Sequence, residues 1–117
     1  MTADEVKAVL ENPEYTVVDV RKAADSSALT IPGSVRVDMD AAKEGDFDAG
    51  VVAMASVVAE HDNNLVLVCY SGKRYAQATT DVLNSLGYDM SKVYTLEGGF
   101  NGWSEKFPEL TAAPVAE

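Results

Sequence analysis

The chain contains a single cysteine, Cys69, and its position in the sequence invites chemistry. It closes Leu65-Val66-Leu67-Val68, a continuous apolar run, and is followed by Tyr70-Ser71-Gly72-Lys73-Arg74 and then a helical pattern. A short loop of this kind can turn successive backbone N–H groups inward as an anion-binding nest. Gly72 permits the backbone angles such a turn needs. A helix N-terminus adds partial positive charge, and Lys73 and Arg74 add formal charge. Each of these favours a negative species at the sulfur. The thiolate is the form that attacks sulfur or phosphorus. The competing reading is an inert cysteine buried in a strand. A strand end followed by Gly, Lys, Arg and a helix start favours the reactive one.

Other chemistries have fewer residues to work with. One cysteine cannot form an internal disulfide or a Cys-rich zinc site. His61 is the only histidine, and it lies between Glu60 and Asp62 at an expected helix end, which suits a surface role. No metal or other cofactor is expected. Asp38, Asp40, Glu44, Asp46 and Asp48 lack the ligand order of a calcium-binding helix-loop-helix, so they read as a solvated acidic loop. Nine Lys and Arg against 19 Asp and Glu give a net charge of −10, which repels phosphate backbones and argues against nucleic acid as a partner. In that background any basic cluster needs a reason. No apolar run approaches the roughly 20 residues of a membrane span, so no membrane partner is expected. The segment Met1-Thr2-Ala3-Asp4-Glu5 is acidic and no apolar signal core follows it. A cytoplasmic location is the default expectation, although a domain trimmed from an exported precursor would look the same.

The elements that must position Cys69 can be read along the chain. Thr2 and Glu5 fit a capping box opening a helix over about residues 3–11, stopped by Asn12-Pro13. Residues 15–20 are β-branched and short, a buried strand ending at Asp19-Val20-Arg21. Residues 22–33 form a loop or short helix closed by Ile31-Pro32-Gly33, and 34–37 a second short strand. Residues 38–50 read as exposed loop and 51–60 as a helix packed on the sheet. Residues 65–69 have the unbroken apolar character of a central parallel strand. A helix follows over 74–86, with Ala76, Ala78, Thr79, Val82, Leu83 and Leu86 inward and Gly87 as its stop. Residues 92–96 form another strand, and Gly98, Gly99 and Gly102 punctuate a turn into a short helix around Trp103. The whole chain of 117 residues is expected to be one domain, with its core over about residues 3–108 and a frayed tail over 110–117. Strands alternating with helices across short connections predict an α/β domain with a mainly parallel sheet. Ligand sites in such sheets lie beyond the carboxyl ends of the strands, where Cys69 stands.

Four segments together resemble the rhodanese-like domain family. Cys69-Tyr70-Ser71-Gly72-Lys73-Arg74 is similar to the C-x-x-G-x-R loop of rhodanese-type sulfurtransferases. Val18-Asp19-Val20-Arg21 resembles the family's D-V-R strand end. Ile31-Pro32-Gly33-Ser34 resembles its I-P-G-A turn, and Gly98-Gly99-Phe100-Asn101-Gly102-Trp103 its G-G-x-x-G-W signature. The resemblance implies a rhodanese-like fold, a parallel sheet with helices on both faces. It implies that Cys69 is the nucleophile, taking a sulfane sulfur from a small anionic donor such as thiosulfate and carrying it as a persulfide. Tyr70, Ser71, Gly72, Lys73 and Arg74 then bind substrate: their amides hold the sulfur anion and Lys73 places the donor. Arg74 either helps in that or ties the loop down. Asp19 and Arg21 are supporting residues, read first as an ion pair that braces the loop.

Related phosphatases and arsenate reductases use the same cradle with one more residue between Cys and Arg. Here only Tyr70, Ser71, Gly72 and Lys73 intervene, and the shorter ring suits a single sulfur atom better than a tetrahedral phosphate. Leu29-Thr30 stands where the family often has G-H, and Tyr75 where it usually has Ser or Thr. The family also tends to begin with a short strand, and no clear counterpart precedes Thr2. Without a second cysteine the persulfide must be unloaded onto an external acceptor: a small thiol, a cyanide-like nucleophile or a partner protein. The other class of function is a non-enzymatic sulfur carrier or regulatory binding module, and the presence of the loop cysteine favours chemistry over it.

Overall fold

The structure, a computed structural model, describes residues 1–113. The β-branched run Tyr15–Asp19 (β1) and the apolar run Asn64–Val68 (β3) pair in parallel, from Tyr15 opposite Asn64 to Asp19 opposite Val68. Val35–Arg36 (β2) joins the outer side of β1 and Val93–Thr95 (β4) the outer side of β3, giving a parallel sheet of order β2-β1-β3-β4. β3 has neighbours on both edges and helices on both faces. Leu65, Leu67 and Cys69 enter a cluster with Met39, Met54, Val57, Val82 and Leu83. Val66 and Val68 point the other way, to Val6, Leu96, Phe100 and Trp103. The two-residue period of a strand thus splits one apolar run between two cores.

Helices cover both faces of the sheet. Ala3–Val9 (α1) and Gly99–Lys106 (α6) lie on the Trp103 side, while Phe47–Glu60 (α4) and Arg74–Ser85 (α5) lie on the Cys69 side. Ala23–Ser26 (α2) follows β1, and Asp40–Lys43 (α3) precedes α4. The capping box is present, with Thr2 Oγ1 accepting from Glu5 N at 3.2 Å and Glu5 Oε1 from Thr2 N at 2.9 Å. Gly87 ends α5 at φ +80° with paired bonds, Gly87 N to Asn84 O and Tyr88 N to Leu83 O, so the residue predicted as a stop acts as one. The α/β class with a parallel sheet and helices on both faces is as expected.

Two expectations need correction. Residues 38–50 are not an exposed loop. They carry α3 and the first turn of α4, and Met39 is 1 % exposed. The acidic residues there are helix starters: Asp38 accepts from Asp40 N at 2.9 Å, and Asp46 caps α4 by accepting from Ala49 N at 3.1 Å. Gly50 is packed so closely that a Cβ would lie 2.7 Å from Ala42 Cβ. The chain is also held beyond Leu110. Trp103 Nε1 donates to Leu110 O at 3.0 Å, and Ala112 exchanges two backbone bonds of 2.9 Å with Thr30. Residues 114–117 of the expected tail lie outside the described residues. Met1 flanks β4, its amino group donating to Thr95 O at 2.9 Å and its carbonyl accepting from Glu97 N at 2.8 Å. Among the described residues no helix is long and apolar enough to cross a membrane.

Candidate active site

Cys69 follows the last residue of β3 directly, and its side chain is buried at 1 % exposure. The chain then turns back on itself. Gly72, at φ +82°, brings its N–H to 3.0 Å from Cys69 Sγ, and a Cβ on it would lie 2.8 Å from Leu96 O. No other residue type fits both the angle and the space. Of the amides expected to ring the sulfur, Gly72 bonds it directly. Those of Tyr70, Ser71, Lys73 and Arg74 donate to no acceptor among the described residues. Lys73 is the N-cap of α5 and offers no capping side chain, and no acidic residue lies in the first turn. The helix start is left electropositive and open toward the loop.

The loop's carbonyls, by contrast, are tied down. Phe100 N donates to Cys69 O at 2.6 Å and Asn101 N to Tyr70 O at 3.1 Å, both from the first turn of α6. This approach requires Gly99. Its φ is +58°, and a Cβ would sit 2.5 Å from Cys69 O and 2.6 Å from Tyr70 C and O. With the carbonyls of Cys69 and Tyr70 held by α6, the amides of the same peptides, those of Tyr70 and Ser71, point away from α6. From sequence Gly98-Gly99 reads only as a turn; its part in shaping the loop is carried by backbone bonds that leave no side-chain signature.

A cavity of about 130 Å³ opens over the sulfur, lined by Cys69, Tyr70, Ser71, Arg74, Tyr75 and Lys43. Gly72 and Lys73 do not line it but face an adjoining groove, while Arg74 faces both. Lys43 is the residue that sequence reasoning missed, because it belongs to a segment read as solvated loop. It reaches the cavity from α3, held by Glu44 and by Asp40 at 3.8 Å, with its Nζ 5.2 Å from the centre of the Tyr75 ring. Tyr75 both walls the cavity and packs into the core. Its ring meets that of Tyr70 edge-on at 5.2 Å, and its hydroxyl donates to Asp40 Oδ1 at 2.6 Å. Burial, then that bond, holds the Tyr75 phenol well above the ordinary tyrosine range, and the same bond lowers the Asp40 carboxyl. The Tyr70 hydroxyl donates to Asp25 and accepts from Lys22 N at 3.3 Å. Burial, with the Asp25 bond second, pushes Tyr70 up to about 12.

Asp19 and Arg21 do not reach the cavity. They form a buried bidentate pair, Arg21 Nε to Asp19 Oδ1 at 3.0 Å and Nη2 to Oδ2 at 2.8 Å, exposed by 1 % and 4 %. Arg21 Nη2 also donates to Leu29 O at 2.5 Å, and the guanidinium lies 3.9 Å from the centre of the Phe100 ring. Thr30, which the sequence marked only as a departure, donates to Asp19 Oδ2 at 2.6 Å and shares a bond with Ser34 Oγ at 2.9 Å. The D-V-R strand end and the I-P-G turn are therefore joined through one carboxylate. His61 lies away from the site, its Nδ1 3.5 Å from Thr16 Oγ1.

Comparison with known proteins agrees with this arrangement. The Rhodanese-like domain family matches residues 2–106. Thiosulfate sulfurtransferase GlpE of Pseudomonas fluorescens is 37% identical over 101 residues, covering 86% of this chain and 81% of the relative. The human thiosulfate:glutathione sulfurtransferase is 30% identical over 106 residues, covering 87% of this chain and 90% of the relative. Among solved structures, the Alr3790 protein from Anabaena superposes with a TM-score of 0.72 at 22% identity, covering 99% of this chain and 94% of that one, a likeness of fold. With the family's segments in order and the cysteine loop built as described, and with two relatives at 30% identity or more that are named as sulfurtransferases, the chain belongs to the rhodanese-like domain family.

Proposed function

We propose that the chain is a thiosulfate sulfurtransferase working through a persulfide on Cys69. The observation that carries this reading is the asymmetry of the loop: carbonyls bound to α6, and amides and cations left over around one sulfur. Such a ring stabilises negative charge on that sulfur and on whatever sulfur is attached to it. In the first half-reaction the Cys69 thiolate attacks the outer sulfur of thiosulfate. A bond forms between Sγ and that sulfur, the S–S bond of thiosulfate breaks, and sulfite leaves with the electron pair. Arg74 and Lys43 face the cavity where the sulfonate arrives. The terminal sulfur then rests among the amides of Tyr70, Ser71, Gly72, Lys73 and Arg74 until an external nucleophile removes it. Asp19 and Arg21 hold the adjoining strand end in place and touch no substrate. The name of the human relative pairs thiosulfate with glutathione, which supports a thiol as acceptor.

Intact-mass analysis after thiosulfate treatment tests the proposal. The protein should gain one sulfur atom, lost on adding cyanide, and Cys69→Ser should gain none. An unchanged mass would overturn the reading. Turnover of an aryl phosphate that disappears in Cys69→Ser would replace it with the phosphatase chemistry of related folds.

A further inference from the structure

Among the described residues, Lys43 is the one cation that the cavity over Cys69 draws from outside the cysteine loop. Its side chain is only 12 % exposed, so its ammonium is governed by what surrounds it. Glu44 accepts from it, the centre of the Tyr75 ring lies 5.2 Å away, and Asp40 Oδ1 stands off at 3.8 Å. That last distance is too long for a hydrogen bond. The reason lies on the far side of the same oxygen, where the Tyr75 hydroxyl donates to Asp40 Oδ1 at 2.6 Å. Burial, then this bond, holds the phenol well above the ordinary tyrosine range, so it remains a donor. A carboxylate oxygen already filled by a phenol draws a neighbouring ammonium less strongly. An ammonium has three donors and Glu44 takes one, which leaves donors for an anion in the cavity. The backbone beneath Lys43 is fixed. Asp38 accepts from Ala23 N and from Asp40 N, each at 2.9 Å, Met39 is buried, and Ala42 packs on Gly50. Only the ammonium has a choice of partner.

We propose that Tyr75 is a positioning residue for the sulfur donor: by occupying Asp40 Oδ1 it keeps the Lys43 ammonium out of a closed ion pair and turned to the cavity, where Lys43 selects a small dianionic donor over a monoanionic one. The inference rests on the persulfide reading above and adds the residues that choose its donor. Tyr75 stands where the family usually has Ser or Thr, and neither side chain is long enough to fill the place of a phenol. The transfer itself is unchanged. The Cys69 thiolate bonds to the outer sulfur, the S–S bond of the donor breaks, and sulfite leaves with the electron pair. Lys43 offsets the charge that sulfite carries away. Without the Tyr75 hydroxyl, Asp40 Oδ1 is open 3.8 Å from the ammonium, and the two close on each other. The lysine is then spent on its own helix, although no cation has been removed.

The experiment measures the second-order rate of persulfide loading on the full chain from two donors, thiosulfate and methanethiosulfonate. The second is of similar size, leaves as a sulfinate and carries a single negative charge. The ratio of the two rates is the readout, because a damaged fold slows both alike. Lys43→Met keeps the apolar stem and should slow thiosulfate roughly tenfold, as for one lost charged hydrogen bond, and methanethiosulfonate by less. Tyr75→Phe should lower the same ratio several-fold. Adding Asp40→Asn to Tyr75→Phe should restore most of it, because the neutral amide no longer captures the ammonium. In the Lys43→Met background, Tyr75→Phe should leave the ratio where it is. A ratio unmoved by Lys43→Met would remove the lysine from donor choice and overturn the proposal. So would a Tyr75→Phe variant that loses both donors alike or is not rescued by Asp40→Asn; the hydroxyl would then be a structural bond, with Cys69 still loading sulfur. Failure of the wild type to load from either donor would bring down the persulfide reading, and this inference with it.

Discussion

Two neighbouring strand ends in this sheet are treated in opposite ways. Asp19 and Val68 are register partners at the carboxyl ends of β1 and β3. Beyond β1 the chain buries a carboxylate and a guanidinium and answers both. Asp19 accepts from Arg21 N, Nε and Nη2 and from Thr30 Oγ1, and Arg21 passes a further bond to Leu29 O. Beyond β3 the amides of Tyr70, Ser71, Lys73 and Arg74 donate to no acceptor, and Lys73 and Arg74 form no ion pair, among the described residues. A buried charge must be fully paired or it destabilises the fold. Amides left open at a helix start are tolerated because they are few, and the stabilisation they lack is recovered when an anion binds. The closed end therefore supplies stability and the open end reactivity, on adjacent strands of one sheet.

The sharpest break of this comparison substitutes one residue at each end. Asp19→Ala leaves the Arg21 charge buried without its carboxylate, at a cost of about 3–5 kcal/mol. That is a large part of the roughly 5–15 kcal/mol that holds such a domain together. A urea titration should show a lowered midpoint. Arg74→Ala removes an exposed side chain and should change the stability by no more than about 0.5 kcal/mol, while slowing persulfide formation from thiosulfate. If Arg74→Ala destabilised as much as Asp19→Ala, the open end would be structural and the contrast would fail.

Gly99→Ala strikes the clamp that shapes the open end. A left-handed backbone costs an alanine about 1–2 kcal/mol. The added Cβ, 2.5 Å from Cys69 O, also forces the loop outward. Ordinary contact begins near 3.4 Å, so the required shift is about an ångström, and a displacement of that size costs roughly a hundredfold in rate. The expected result is a variant that stays folded by circular dichroism yet forms persulfide far more slowly. Retained activity would show that α6 does not set the loop geometry.

What could be read in advance follows the distance over which each contact acts. The cysteine loop is contiguous, so residues 69–74 could be assigned together. Asp19 and Arg21 are two apart and could be paired on paper. Thr30 could not be tied to Asp19, because its partner is remote in sequence and only the folded turn brings its hydroxyl within 2.6 Å. Lys43 and Asp40 were hidden by composition: an acidic, glycine-containing stretch looks solvated until Met39 and Gly50 are seen to be buried. The grip of α6 on the loop is a matter of backbone bonds, and a residue string shows at most that glycines permit it.

Thr30→Val tests the closed end more gently. The isosteric change deletes the hydrogen bond to a buried carboxylate that keeps its arginine, together with the bond to Ser34 Oγ, and should cost about 1.5–3 kcal/mol in urea titration. Its effect on persulfide formation should be smaller than that of Arg74→Ala, because the hydroxyl lies beneath the brace and outside the cavity. A larger effect on rate than on stability would mean that the brace tunes the chemistry.

The smallest expected effect lies where the two ends meet. Tyr70 belongs to the open loop, yet its hydroxyl is held by Asp25 and Lys22 N, which follow the closed end, and Arg21 lies 5.8 Å from the centre of its ring. Burial and the Asp25 bond both favour the neutral phenol, raising its pKa from 10.0 to about 12. A group whose pKa is raised on folding stabilises the fold below its unfolded value and loses that contribution as pH climbs through the folded one. The stability difference between wild type and Tyr70→Phe should therefore be flat below pH 10 and close toward pH 12. The ultraviolet titration of wild type minus variant should place the Tyr70 phenolate at the upper end of that window. Ionisation near the ordinary value would mean that the phenol swings free of Asp25. The loop would then be held by α6 alone, and the closed strand end would have no grip on the open one.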